Sequence, residues 1–302
     1  MSRTACLAGI GALVLMSSSP AWGAPLQCDA WQEKHPNWLW CDDFESDAAL
    51  TANYFEVDRA GGSFGVSTEA PFGGSASLRA NYRAGVQNAG GVKLGLGRSP
   101  VASNLASDRD FDELYWRFYT KTGSNWIGNP QKLTRATIFA RSNWSQAAIG
   151  HLWEDSVSLR GLGLDPVSGV VGDQVVTTQY NDFANLRWLG KANGRTQTYA
   201  DANRERWFCV EIRMKLNTPG AADGVFAFWV DGNLEAESQN LDWRGRYVQY
   251  GINAVMLENY VNTGFSQSQT RYMDSLVVST QRIGCQDDLL VEPQPPTSVQ
   301  AE

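Results

Sequence analysis

Residues 206–217 read Arg206-Trp207-Phe208-Cys209-Val210-Glu211-Ile212-Arg213-Met214-Lys215-Leu216-Asn217. The turn residues Thr218-Pro219-Gly220-Ala221-Ala222-Asp223-Gly224 lead into Val225-Phe226-Ala227-Phe228-Trp229-Val230, which stops at Asp231-Gly232. Glu211, Arg213 and Lys215 alternate with Val210, Ile212, Met214 and Leu216, the period-two pattern of a strand with one dry and one wet face. Pro-Gly and Asp-Gly punctuation between two such runs predicts an antiparallel hairpin. The charged row is expected to be the solvated outer face of a sheet, kept polar by alternation, and not a reaction site.

Short runs of the same kind flank the hairpin, separated by Gly, Asn, Asp and Ser. They are Ser75 to Tyr82, Leu114 to Thr120, Leu133 to Ala140, Val157 to Leu164, Gln174 to Tyr180, Tyr247 to Leu257 and Tyr272 to Ser279. No apolar pattern of period 3.6 persists beyond three turns, and no internal repeat occurs, so an all-β sandwich or barrel is predicted. The 29 Gly and 12 Trp suit a sandwich with aromatic side chains on one face. No Pro/Gly/Ser-rich linker splits the middle, so residues 24–285 are expected to form one domain. Residues 286–302, with Glu292-Pro293-Gln294-Pro295-Pro296-Thr297-Ser298, read as a disordered tail.

Arg3, the apolar run Ala5 to Met16 and the small residues Ala21 and Gly23 read as a signal peptide, 1–23, with export to a secreted or periplasmic location. The alternative, an N-terminal anchor, lacks the length to span, and no Cys stands where a lipoprotein signal needs one. The chain has 25 basic and 32 acidic residues, a net charge of −7, with no basic run. Nucleic acid and anionic membranes are therefore poor partners, and no membrane span remains after signal removal. Past the leader stand Cys28, Cys41, Cys209 and Cys285. An even count in an exported chain implies disulfides with three possible connectivities, of which Cys28–Cys41 with Cys209–Cys285 is favoured.

The hairpin, together with Tyr272-Met273-Asp274-Ser275-Leu276-Val277-Val278-Ser279-Thr280, Arg282-Ile283-Gly284 and the early Cys41-Asp42-Asp43-Phe44-Glu45, resembles the concanavalin-like jelly-roll superfamily. Within it the chain looks like the polysaccharide lyases that include alginate and glucuronan lyases. The resemblance implies a jelly-roll β-sandwich of two antiparallel sheets, no required cofactor, an acidic polysaccharide as partner and a monomeric protein. The Glu-x-Asp-x-x-Glu strand of the glycosidases of this fold is absent, which disfavours a two-carboxylate hydrolase.

Eliminative cleavage of a uronate polymer needs a group that neutralises the carboxylate, a base and an acid. Lys132-Leu133 stands where alginate lyases carry Gly-Gly-Lys-Leu-Pro-Gly. Ser158-Leu159-Arg160 matches the family's Ser-x-Arg, and an extended strand puts Ser158 and Arg160 on one face. Tyr180 matches the second Tyr of a Tyr-x-Tyr whose first is Thr178 here, which removes one phenol from proton transfer. The resemblance thus implies Lys132 and Arg160 as carboxylate holders, Tyr180 as base, acid or both, and Ser158 as a positioning group. His151, alternating with Trp153, is a further candidate neutraliser or base. Arg117, Tyr119, Arg135 and Trp153 are expected to bind substrate. Asp43, Glu45 and Asp274, where the first and last strands meet, are candidate ligands for a structural Ca²⁺. The competing readings are ordinary: a solvated Lys, a wet strand face, a structural His. A non-catalytic carbohydrate-binding protein of the same fold is the alternative function.

Overall fold

A computed structural model describes residues 26–102, 105–128, 131–155 and 157–286. The expected signal peptide and the tail after residue 286 lie outside the described residues. In chain order the first nine strands are β1 (Trp38–Asp42), β2 (Glu56–Asp58), β3 (Phe64–Ser67), β4 (Ser77–Tyr82), β5 (Asn88–Gly95), β6 (Glu113–Thr122), β7 (Lys132–Phe139), β8 (Gln146–Glu154) and β9 (Leu162–Ser168). There follow β10 (Val170–Val171), β11 (Gln174–Val175), β12 (Arg187–Trp188), β13 (Ala192–Asn193), β14 (Phe208–Lys215), β15 (Gly224–Val230), β16 (Asn233–Leu241), β17 (Ala254–Tyr260) and β18 (Gln269–Ser279).

Sixteen of these make two antiparallel eight-stranded sheets packed as a sandwich. One runs β16-β15-β14-β6-β18-β4-β3, with β1 also on β18. The other runs β12-β9-β8-β7-β17-β5-β2, with β13 also on β9. The expected hairpin is β14–β15, in register from Val210 opposite Val230 to Lys215 opposite Val225. Its turn is clamped by Asp223, which accepts from the Thr218 N–H at 2.6 Å and the Thr218 hydroxyl at 2.7 Å.

Alternation decides what each sheet buries. Trp116, Phe118, Ile212, Met214, Phe226 and Phe228 of the first sheet meet Leu94, Ile138, Leu152, Leu164 and Leu257 of the second in one core. Burying each such side chain contributes roughly 1.5–3 kcal/mol. Trp116 Nε1 donates to Thr134 Oγ1 at 2.9 Å, so the indole crosses the sandwich without an unmet donor.

Both favoured disulfides are present, Cys28–Cys41 and Cys209–Cys285, with Cα separations of 5.4 and 6.0 Å. The second straps the segment after β18 over β14, and this corrects the expectation for Glu211. Its carboxylate is buried and accepts from the N–H groups of Ile283 at 2.6 Å and Gly284 at 3.0 Å. Three expected strands are also corrected. That over Tyr247 to Leu257 begins only at Ala254. Residues 157–161 form a loop, with strand geometry only from Leu162. The run Gln174 to Tyr180 is extended only at Gln174–Val175. Among the described residues no helix is long and apolar enough to cross a membrane.

Candidate functional site

The outer face of the second sheet carries a row of cross-strand partners: Glu56 (β2), Lys93 (β5), Met256 (β17), Arg135 (β7), His151 (β8) and Asp165 (β9). Directly opposed residues share a face, so five of the six strands put a titratable group on the same line. Lys93 pairs with Glu56, Arg135 with Glu258 at 2.8 Å, and Asp165 with Lys191 at 3.3 Å.

Lys132 joins this face through an irregularity. Residues 132 and 135 of an unbroken strand would project to opposite sides. Between Lys132 and Thr134 the register slips: Lys132 lies opposite Trp153, yet Thr134 lies opposite Leu152. This β-bulge turns Lys132 to the side of Arg135, as bulges re-aim side chains elsewhere.

The chain from 176 to 191 folds across the same face. It is pinned where Tyr180 packs with Phe139, Met256 and Trp144, and where Leu186 packs on Ile149 and Val167. Asp182 ties the crossing by accepting from Thr178 N–H at 2.8 Å, Thr178 Oγ1 at 2.9 Å and Asn185 Nδ2 at 2.9 Å. Asn181 has φ 54°, a left-handed conformation that Asn tolerates better than most residues. That conformation brings Tyr180 and Asn181 to the same guanidinium: Arg135 donates to Asn181 Oδ1 at 2.7 Å and to the Tyr180 hydroxyl oxygen.

Two adjoining hollows result. The first, of about 310 Å³, is lined by Glu56, Lys93, Lys132, Tyr180, Asn181 and Glu258 among others. The second, of about 650 Å³, shares Lys132, Asn181 and Tyr260 and adds Trp153, Phe183, Trp188, Glu154, Asp165 and Lys191. Lys132 sits at the seam. Its Nζ lies 4.7 Å from the ring centre of Tyr260, 5.6 Å from Trp153 and 5.8 Å from Phe183. Among the described residues it enters no salt bridge, unlike Lys93, Arg135 and Lys191. Burial pushes its pKa below the ordinary 10.5, and the Glu258 charge only partly offsets this. Burial likewise raises the Tyr180 phenol to about 12 against the pull of Arg135, so at neutral pH it keeps its proton.

Of the residues singled out from sequence, Lys132, Tyr180, Arg135 and Trp153 come together here. His151 lies beneath them, fully buried under Trp153 at 3.9 Å. Its Nδ1–H donates to the Asp165 carbonyl at 3.0 Å, and Nε2 has no hydrogen-bond partner among the described residues. Burial first, and Arg135 next, lower its pKa well below 6.5, so the ring is neutral and closed off from a ligand.

Ser158 and Arg160 line neither hollow. The loop they occupy winds around Asp155, whose carboxylate accepts from the N–H groups of Val157 at 2.8 Å and Gly161 at 2.7 Å and from Ser158 Oγ at 2.6 Å. Such side-chain capture of the backbone competes with strand formation. Arg160 is half exposed and reaches Asp201 at 3.3 Å.

Arg117 and Tyr119 belong to β6 in the other sheet. Arg117 is buried against the Ser275 carbonyl at 3.3 Å, and Tyr119 stacks on Phe72 at 3.6 Å. The strap that follows β18 covers Tyr119, with the Gln286 N–H donating to its hydroxyl at 2.7 Å, and Gln27 accepts from Arg117. Backbone N–H groups donate to Glu45 (from Ser75 at 3.0 Å), to Asp274 (from Phe72 at 2.8 Å) and to one oxygen of Asp43 (Oδ2, from Cys28 at 2.7 Å), while Asp43 Oδ1 is buried without a hydrogen-bond partner among the described residues. Among the described residues no three His, Cys, Asp or Glu side chains gather as a metal site.

Sequence reasoning passed over Lys93, Asn181, Glu258, Asp165, Lys191, Phe183 and Tyr260. Lys93 alone leaves a local trace, as a single charge between Val92 and Leu94 in a Gly-rich strand.

No protein-family model matches the sequence, and no curated protein sequence matches it. Solved structures do match the fold. An endo-β-1,4-glucuronan lyase from the fungus Trichoderma reesei aligns with TM-score 0.52 and 14% identity over 81% of this chain and 96% of that one. An alginate lyase from Chlorella virus gives 0.55 and 11% over 81% and 100%. The alginate lyase Aly36B, as a variant with a lysine and a tyrosine replaced by alanine and in complex with an alginate tetrasaccharide, gives 0.51 and 12% over 82% and 97%. The two antiparallel sheets are thus the jelly-roll sandwich that these polysaccharide lyases have.

Proposed function

We propose that this chain is an exported polysaccharide lyase that cleaves a uronate-containing acidic polysaccharide by β-elimination. The observation that carries the reading is Lys132: a partly desolvated amine at the seam of a cleft, held by ring faces and by no salt bridge among the described residues, beside a neutral phenol. The two disulfides suit an oxidising, exported setting.

In this reading the uronate carboxylate meets the Asn181 amide. Arg135 holds Asn181 Oδ1, which leaves Nδ2 to donate outward, and the guanidinium adds positive charge behind it. Lys132 Nζ takes the proton from C5. The C5–H electron pair becomes the C4=C5 double bond, and the C4–O bond breaks. Tyr180 gives its proton to the departing glycosidic oxygen: its own oxygen accepts from Arg135, and its O–H exchanges the weak acceptor Met256 Sδ, at 3.8 Å, for substrate. A lysine and a tyrosine are also the side chains removed in the Aly36B variant bound to tetrasaccharide.

The test is the ultraviolet absorbance of unsaturated uronate products from alginate, glucuronan and glycosaminoglycans. Lys132→Ala and Tyr180→Phe are each expected to lower kcat by about 10²–10⁴-fold, the usual worth of a general base or acid. Ser158→Ala and Arg160→Ala should stay within about twofold, because neither touches the cleft. A protein that binds these glycans yet releases no unsaturated product from any of them is a binding module, the second reading. The exposed rings of Phe183 and Trp188 would serve such a module equally well.

A further inference from the structure

The two hollows differ in what they offer a sugar. The first has the amide of Asn181, the amine of Lys132 and the buried charge of Arg135 behind them. The second has a flat apolar floor. Phe183 and Trp188 lie 9° from parallel with centroids 6.1 Å apart, and Trp153 stands at their edge, 6.4 Å from each. Phe183 is 38% exposed and Trp188 46%, an arrangement that leaves two large rings facing water unless something covers them.

Charge sets the kind of cover. The charged side chains lining the second hollow and not the first are Glu154, Asp165 and Lys191. Lys191 is already spent on Asp165 at 3.3 Å, and the Asp165 side chain is only 5% exposed. A carboxylate-bearing ring placed on the floor would face Glu154 and the already paired Asp165 and Lys191, with Lys132 the remaining cation, at the seam with the first hollow. An uncharged pyranose would lay its C–H face on the rings and offer hydroxyls to Glu154, which accepts hydrogen bonds from neutral donors without repulsion.

We infer that the second hollow binds a neutral sugar next to the uronate, so that the substrate is a heteropolysaccharide in which uronate and uncharged hexose residues adjoin. This rests on the uronate occupying the first hollow, as in the proposed function.

Binding and cleavage separate the two claims. Two oligosaccharides of equal length, one all uronate and one alternating uronate with neutral hexose, are titrated calorimetrically into the Lys132→Ala protein. The alternating one is expected to bind about tenfold tighter, a difference of about 1.4 kcal/mol. Trp188→Ala in that background should abolish the preference, with folding checked by near-ultraviolet circular dichroism. Equal or tighter binding of the all-uronate oligosaccharide overturns the inference, whichever substrate the wild-type protein cleaves. A tenfold preference, with the wild-type protein releasing no unsaturated product from either oligosaccharide, leaves the inference standing and removes the lyase reading instead.

Discussion

Lys132 and Tyr180 are moved by burial in opposite senses relative to neutral pH. Burial disfavours the charged form of each, so the ammonium pKa falls below 10.5 and the phenol pKa rises to about 12. The proposed elimination requires Lys132 unprotonated and Tyr180 protonated. As pH rises, kcat/KM is expected to climb with a midpoint below 10.5, as Lys132 loses its proton. It should fall only as Tyr180 ionises near 12. Tyr180→Phe keeps the rising limb on whatever activity remains, and a Lys132→Arg protein loses it. A profile that falls between pH 7 and 9 would remove Lys132 as the base. Asn181 shows a different residue-scale device, a left-handed backbone that lets two consecutive side chains share Arg135.

The row across six strands is built at the level of elements. Each strand contributes one residue, and the sheet register lines them up. Arg135 is fully buried in the middle of it, paired with Glu258, so its charge is tolerable only with that partner in place. Arg135→Met is expected to cost about 3–5 kcal/mol, since it strands a largely buried carboxylate. Adding Glu258→Gln should return at least about 1 kcal/mol of this, read as a double-mutant cycle from denaturant midpoints. Strict additivity of the two changes would mean the pair is not coupled. The bulge between Lys132 and Thr134 belongs to this scale too, because it alone puts Lys132 and Arg135 on one face.

For the whole molecule, the strap after β18 covers Glu211 and Tyr119 on the outer face of the first sheet, and the cleft lies on the outer face of the second. Cys209–Cys285 holds the strap across a separation of 76 residues, against 13 for Cys28–Cys41. Loop-closure entropy makes the long link worth about 4–5 kcal/mol and the short one about 3. Cys209→Ala/Cys285→Ala should therefore unfold at lower denaturant than Cys28→Ala/Cys41→Ala. The reverse order would show that the strap adds little beyond its local contacts.

The alternation at 210–216 and the turn at 218–224 are local signals, so the hairpin and the all-β sandwich were readable from sequence. Lys132, Tyr180, Arg135 and Trp153 were readable as candidates from motif and alternation. Ser158 and Arg160 were misplaced because Asp155 takes the backbone N–H groups that a strand would have paired. Glu211 looked exposed because the strap that buries it comes from 72 residues further on. By itself the sequence determined which faces of which strands are dry, since that depends on a period of two. Which polar faces stay wet, which become a cleft and which titratable groups meet there depended on register, one bulge and two covering segments. These bring together residues from 56 to 258, and only the closed sandwich decides them.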